Sequence, residues 1–107
     1  MHNAIRLLKK IPGGKVTTYK ELARAIKTHP RAIGMIMRAN RFPSEYPCYK
    51  VVMSDGCVGG YSATGGQQKK IKLLEKDGIK VHNSKIDLGK YMFRMSATQG
   101  KLLTKKG

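Results

Sequence analysis

Apolar residues recur at helical spacing along much of the chain. Residues 3–10 read as a short basic helix, with Asn3 as cap and Ile5, Leu7 and Leu8 on one side. Ile11-Pro12-Gly13-Gly14 stops it. After a brief extended link, Lys15-Val16-Thr17, a second helix is predicted over about 19–27. Its signals are a capping-box pattern, Thr18 followed by Glu21, and apolar Leu22, Ala23, Ala25 and Ile26. Thr28-His29-Pro30 breaks the run and opens another helix, roughly 30–39, with Ile33, Ile36 and Met37 on one face. Two helices around so tight a break make a helix-turn-helix.

Beyond residue 40 the pattern changes. Arg41 to Pro47 is a loop with two prolines, and Tyr49 to Met53 alternate weakly around Val51-Val52. Ser54-Asp55-Gly56 signals a turn, and Cys57-Val58 and Gly59-Gly60-Tyr61 follow, so a small hairpin is expected. Gly65-Gly66 opens a helix at about 67–76, with Ile71, Leu73 and Leu74 apolar and Gly78 as its stop. One further ordered stretch is expected around Ile86 to Met92, and a polar, basic, loose tail beyond Ser96. The fold class expected is a small, mostly helical α/β domain: a helix-turn-helix of winged-helix-like form with a small β-hairpin. Its boundaries are set at 1–95, with 96–107 as tail.

Charge sharpens this picture. Lys and Arg number 22 against 6 Asp and Glu, a formal net charge of +16 over 107 residues. So large a surplus implies a polyanionic partner, and nucleic acid is the first choice, without deciding DNA from RNA. Apolar runs fall far short of the ~20 residues a spanning helix needs, so no membrane is expected. A soluble monomer, cytoplasmic or nucleoid-associated (nuclear in a eukaryote), is the expectation. His2, His29 and His82 are scattered and the cysteines are only Cys48 and Cys57, which argues against a metal site.

The helix at 30–39 is poorly optimised as structure. Arg31 opposes the macrodipole in its first turn, at a cost of up to ~1 kcal/mol, and Gly34 costs about another 1 kcal/mol. Arg38 and Arg41 add charge without an acidic neighbour in the helix. Such a helix suits a phosphate backbone; alternatively, Gly34 serves close helix packing. Cys48 follows a proline among Arg38, Arg41 and Lys50, where positive charge favours the thiolate. Glu75 is a candidate to orient a proton-relaying partner there, if its helix packs beside the thiol. Cys57 reads as an ordinary packed or surface thiol.

Pro47-Cys48-Tyr49-Lys50-Val51-Val52 resembles the Pro-Cys-His-Arg-Val signature of the 6-O-alkylguanine-DNA alkyltransferases. Ile11-Pro12 through Tyr19 is similar to the family's approach to its first helix-turn-helix helix. Pro30-Arg31-Ala32-Ile33-Gly34 resembles its recognition helix, and Asn40 the Asn before its active-site loop. Ser54-Asp55-Gly56 through Gly59-Gly60-Tyr61-Ser62 resembles its pocket hairpin, and Leu73-Leu74-Glu75 its final helix. The likeness covers about residues 4–79, and the stretch with Asp87-Leu88 and Tyr91 resembles the ends of single-domain members.

The resemblance implies a function and its residues. Cys48 would accept the alkyl group from a guanine flipped out of double-stranded DNA, with no cofactor and one turnover. Tyr19 would turn the base and protonate its oxygen, and Arg31 would fill the vacated space. Small Ala32 and Gly34 would let the helix enter the minor groove, with Arg38 and Lys50 also on DNA. Asn40 would brace the active-site turn, and Val51, Gly59, Tyr61 and Ser62 would line the base pocket. The family's His and Arg after the cysteine are here Tyr49 and Lys50, and a phenol with ordinary pKa near 10 is a poor neutral-pH base. Tyr49 could still hydrogen-bond Glu75 and a water. The alternative is an alkyltransferase-like sensor that binds alkylated DNA without reacting; those proteins usually lack the cysteine. A basic helix-turn-helix transcription factor is a third class, one that leaves the Pro-Cys motif without purpose.

Overall fold

The computed structural model describes residues 2–60 and 65–95. Tyr61, Ser62 and the expected tail from 96 lie outside the described residues. α1 (Asn3–Leu7) runs into a 3-10 turn (Leu8–Lys10), and Ala4, Ile5, Leu7 and Leu8 are buried. Its cap is His2, not Asn3: the Nδ1 of His2 accepts from the Ala4 N–H at 3.0 Å. An imidazole nitrogen satisfies an orphan helix N–H as well as a carboxamide oxygen would.

α2 (Tyr19–Ile26) starts where the pattern predicts, with Thr18 Oγ1 accepting from the Glu21 N–H at 3.0 Å. The Glu21 carboxylate, expected to complete the capping box, instead accepts from Arg24 and from the Met95 N–H, each at 2.7 Å. Lys27 ends the helix in the left-handed conformation, φ 59°. α3 (Pro30–Arg38) follows at once, capped by His29 Nδ1 on the Ala32 N–H. Leu22 and Ala23 of α2 and Ile33 and Met37 of α3 close on α1 in one core cluster. Each such burial contributes roughly 1.5–3 kcal/mol, which is what fixes the helix-turn-helix.

The sheet differs from expectation. β1 (Thr17–Thr18) and β2 (Val51–Val52) pair in parallel, Thr17 opposite Val51 and Thr18 opposite Val52. In place of a hairpin, residues 53–57 form a tight turn, closed by Met53 N–H to Cys57 O at 2.8 Å. Cys57 then bridges to Lys85, which draws the chain away from β2. Gly56 permits this, with φ +93° and a would-be Cβ only 2.6 Å from Ile86 O. The mostly helical α/β class stands.

α4 (Gly66–Lys76) buries Lys70 and Leu74, and α5 (Leu88–Tyr91) is capped by Asp87 Oδ1 on the Gly89 N–H. Val16, Val52, Val58, Leu74, Ile79, Ile86 and Tyr91 form a second core cluster. Successive strand residues point to opposite faces, so Val51 joins the first cluster and Val52 the second. β2 is therefore the seam between the two cores. Among the described residues, no helix is long and apolar enough to cross a membrane.

Candidate active site and nucleic-acid interface

Cys48 opens a 3-10 turn (Cys48–Lys50) immediately before β2, where a strand was expected to begin. The loop leading to it is braced by Asn40, whose Nδ2 donates to Tyr46 O at 2.9 Å while its Oδ1 accepts from the Phe42 N–H. The thiol is 7% exposed and lies on a cavity of about 590 Å³, within the range of small-ligand pockets. Tyr19 and Lys20 of α2, Arg31, Gly34 and Arg38 of α3, and Met53, Ser54 and Gly60 line the rest. A neighbouring cavity of about 740 Å³ shares Lys20 and Ser54 but contains no thiol.

The electrostatics of the thiol run against the simple expectation. Burial pushes the Cys48 pKa up, and the hydrogen bond from Asn40 and the charge of Lys70 only partly offset it. The shift favours the thiol over the thiolate. Tyr19 is pushed up too, by burial and by Cys48, against the pull of Arg38. Its hydroxyl therefore stays a proton donor at neutral pH.

Several predicted residues fall elsewhere. Lys50, expected to face DNA and the thiol, is 5% exposed and turned inward. Its Nζ donates to Pro12 O and pairs with Asp77 Oδ2, each at 3.0 Å, and the same carboxylate oxygen accepts from the Gly14 N–H. A buried ammonium requires such a partner, and the α4 C-terminus supplies it. Glu75, expected beside the thiol, is exposed; the acidic group beside the Cys48–Lys50 turn is Asp77, two residues on. Two residues rotate the helix by roughly 200°, enough to exchange solvent for interior. Tyr49 packs against the second core cluster instead of lining the cavity. Val51, expected in the pocket, is fully buried outside the cavity lining, and its carbonyl accepts from Lys70. Gly59 is also outside the lining, although a Cβ there would come within 3.3 Å of Met53, which does line it.

Arg31 and Arg38 stand exposed on α3, and Ala32 is half-buried. A Cβ added at Gly34 would meet nothing within 4 Å, so helix packing does not account for this glycine. The residue the sequence reading missed is Lys70. It is wholly buried, and its Nζ donates to Val51 O at 2.7 Å and Gly60 O at 3.0 Å. Its four-residue spacing from buried Leu74 on α4 was the available signal. Cys57 is a free thiol held protonated by its hydrogen bond to Asp55. Among the described residues, no three His, Cys, Asp or Glu side chains gather as metal ligands.

The arrangement defines a class: a helix-turn-helix domain whose second helix borders a cavity with a cysteine in its wall. The family described as 6-O-methylguanine DNA methyltransferase, DNA binding domain, matches residues 1–79, and the chain belongs to that family. It is 47% identical over 89 residues to a bifunctional methyltransferase/endonuclease of Picrophilus torridus, covering 81% of this chain and 29% of that one. It is 45% identical over 74 residues to a methylated-DNA–protein-cysteine methyltransferase of Thermococcus kodakarensis, covering 69% of this chain and 41% of that protein. The chain thus spans under half the length of these relatives. Among solved structures, S. pombe Atl1 in complex with damaged DNA containing O6-carboxymethylguanine superposes with TM-score 0.76 at 26% identity, over 86% of this chain and 92% of that one. The O6-methylguanine-DNA methyltransferase of Pyrococcus kodakaraensis gives 0.65 at 40% identity, over 72% and 44%.

Proposed function

We propose that this chain repairs DNA by taking an alkyl group from the O6 of guanine onto Cys48, after the base is turned out of the duplex. The observation that carries the reading is the placement of Cys48 in the wall of a cavity, large enough to admit a nucleobase, that is bordered by the Arg-bearing helix. α3 would lie in the minor groove, with open space at Gly34 for close approach and Arg31 filling the stack that the base leaves. In the transfer step the Cys48 sulfur, once it has lost its proton, bonds to the alkyl carbon. The carbon–O6 bond breaks, its electron pair stays on the guanine oxygen, and the Tyr19 hydroxyl supplies the proton that neutralises the base; Tyr19 then regains from solvent the equivalent of the proton that the thiol released. The thioether is not reversed, so one chain serves one lesion. Guanine modified at O6 within duplex DNA is the proposed partner, and 1–95 the acting unit.

A second reading, a sensor that binds alkylated DNA without reacting, draws support from the likeness to Atl1 across most of the chain and from a shift that favours the thiol over the thiolate. One titration separates the two. Mixed with an excess of duplex containing O6-methylguanine, the protein is expected to gain one methylene in intact mass, on the peptide holding Cys48. Cys48→Ala is expected to abolish that gain and leave DNA affinity nearly unchanged. Tight binding by the wild type with no mass change would overturn transfer in favour of the sensor.

A further inference from the structure

The second cavity, of about 740 Å³, has no part in the chemistry described above, yet it adjoins the first. Lys20 and Ser54 line both, so the two share a rim. Lys20 and Arg24 stand about one turn apart on α2, which puts both cations on the same helix face. A third cation, Arg94, comes from the C-terminal segment and sits between two residues whose backbones are tied down. Phe93 N–H donates to Val16 O, and Met95 N–H to the Glu21 carboxylate, each at 2.7 Å. Arg94 is thereby fixed at the cavity wall while it stays exposed to solvent. Among the described residues Glu21 is the one acidic group in the lining. Its charge is already engaged, because Arg24 donates to its two oxygens at 3.0 and 2.7 Å and its side chain is 5% exposed. Three cations against one engaged carboxylate leave the cavity with surplus positive charge.

We propose that this second cavity seats a backbone phosphate of the DNA strand that carries the lesion, with Arg94 as its principal ligand. The inference rests on the DNA-binding part of the reading above, and it is the same for transfer and for sensing. A nucleotide turned into the first cavity carries a phosphate on each side of its sugar. The strand must therefore leave that cavity over its rim, and across the Lys20–Ser54 rim it meets Arg24 and Arg94. A guanidinium offers a phosphate two parallel N–H donors, and a solvated one costs little to hold ready. Arg24 contributes chiefly its charge, since its Nε and one terminal nitrogen are taken by Glu21. Such a subsite positions the strand without reading its sequence, because the phosphates are alike beside every base.

The test measures binding of Arg94→Gln to a duplex containing O6-methylguanine across a range of salt concentrations. Losing one phosphate contact should weaken affinity by about fivefold and lower the salt slope by about one. Lys72→Gln removes the same charge at an exposed position outside both cavities, and should leave the slope as it was. Equal reductions in the two variants would make net charge the cause and overturn the proposal. A second arm replaces the phosphates of the lesion strand, one at a time, by neutral methylphosphonates. The wild type should lose about fivefold at one linkage beside the modified guanine, and Arg94→Gln should lose nothing further at that linkage. Full, additive losses in Arg94→Gln at every linkage would also overturn it. Binding kept in full by Arg94→Gln but lost by Arg31→Ala sinks the phosphate subsite and leaves the DNA reading standing. A wild type with no affinity for duplex DNA removes that reading itself, before any variant is made.

Discussion

The helix-turn-helix and the segment from Cys48 through α4 treat their positive charges in opposite ways. Arg31 and Arg38 extend from α3 into solvent, with no acidic partner on that helix. Lys50 and Lys70 are 5% and 0% exposed, and their heads are spent on Asp77 and on main-chain carbonyls. A solvated guanidinium costs little to keep and is available to a phosphate. A buried ammonium costs much, and is retained only where it holds a structure together or acts on a neighbour. Even the two buried lysines differ: Lys50 has a carboxylate beside it, whereas Lys70 has two carbonyls and the Tyr19 ring, and it is the Lys70 charge that the thiol feels. The α3 arginines stay solvated, and the two buried lysines are bonded within the fold.

That contrast can be broken at several points. The largest effect on stability is expected from Asp77→Asn, which leaves Lys50 buried without its counter-charge and leaves one carboxamide oxygen to accept from both Lys50 and the Gly14 N–H. About 3 kcal/mol should be lost in urea unfolding. A loss no greater than a surface substitution would mean that Lys50 can reach solvent. Arg31→Ala should do the reverse: stability within about 0.5 kcal/mol of wild type, but capture of a lesion in duplex DNA weakened by roughly tenfold or more. Reaction with the free modified base should be untouched, and equal losses on both substrates would remove the finger role.

Glu21 sharpens the comparison from the acidic side. Arg24 first, then the Met95 N–H and Arg94, hold its carboxyl below the ordinary range against the opposing effect of burial. A depressed carboxylate contributes stability above its unfolded pKa, near 4.3, and that contribution is lost as pH falls through the lower folded value. Melting temperature should fall with acid below about pH 4, and Glu21→Gln should flatten that fall while costing roughly 1–2 kcal/mol at pH 7. A wild-type melting profile already flat across that range would show the contact to be inert. The smallest effect is at Gly34. Because an added Cβ meets nothing, Gly34→Ala should stabilise the helix by up to about 1 kcal/mol while weakening DNA binding. Stabilisation with unchanged DNA affinity would show that α3 does not approach its groove closely there.

Helical periodicity was legible without coordinates, since apolar residues at three- and four-residue steps must share a face: α2, α3 and α4 lie within a residue or so of their predicted spans. The proline before Cys48 marked the end of a loop, and the structure places that thiol in a cavity wall with Asn40 bonded to the loop before it. The sheet was not legible, because two-residue strands carry no period and their pairing joins segments over thirty residues apart. In a chain with 22 basic residues, composition does not distinguish a lysine that will be buried from one that will be solvated, and the helical spacing of Lys70 from Leu74 was the one local hint. Lys50, two residues from the cysteine in sequence, turned inward to Asp77, while Lys70, twenty-two residues on, came within electrostatic reach of the thiol. Glu75 and Asp77 were likewise equivalent on paper until the rotation of α4 chose between them. Sequence alone therefore determined the helices and the charge, which depend on residues close along the chain. Tertiary structure decided which charges are buried and which reach the Cys48 thiol, because burial and distance through space, not order, set the energy of an ion in a protein.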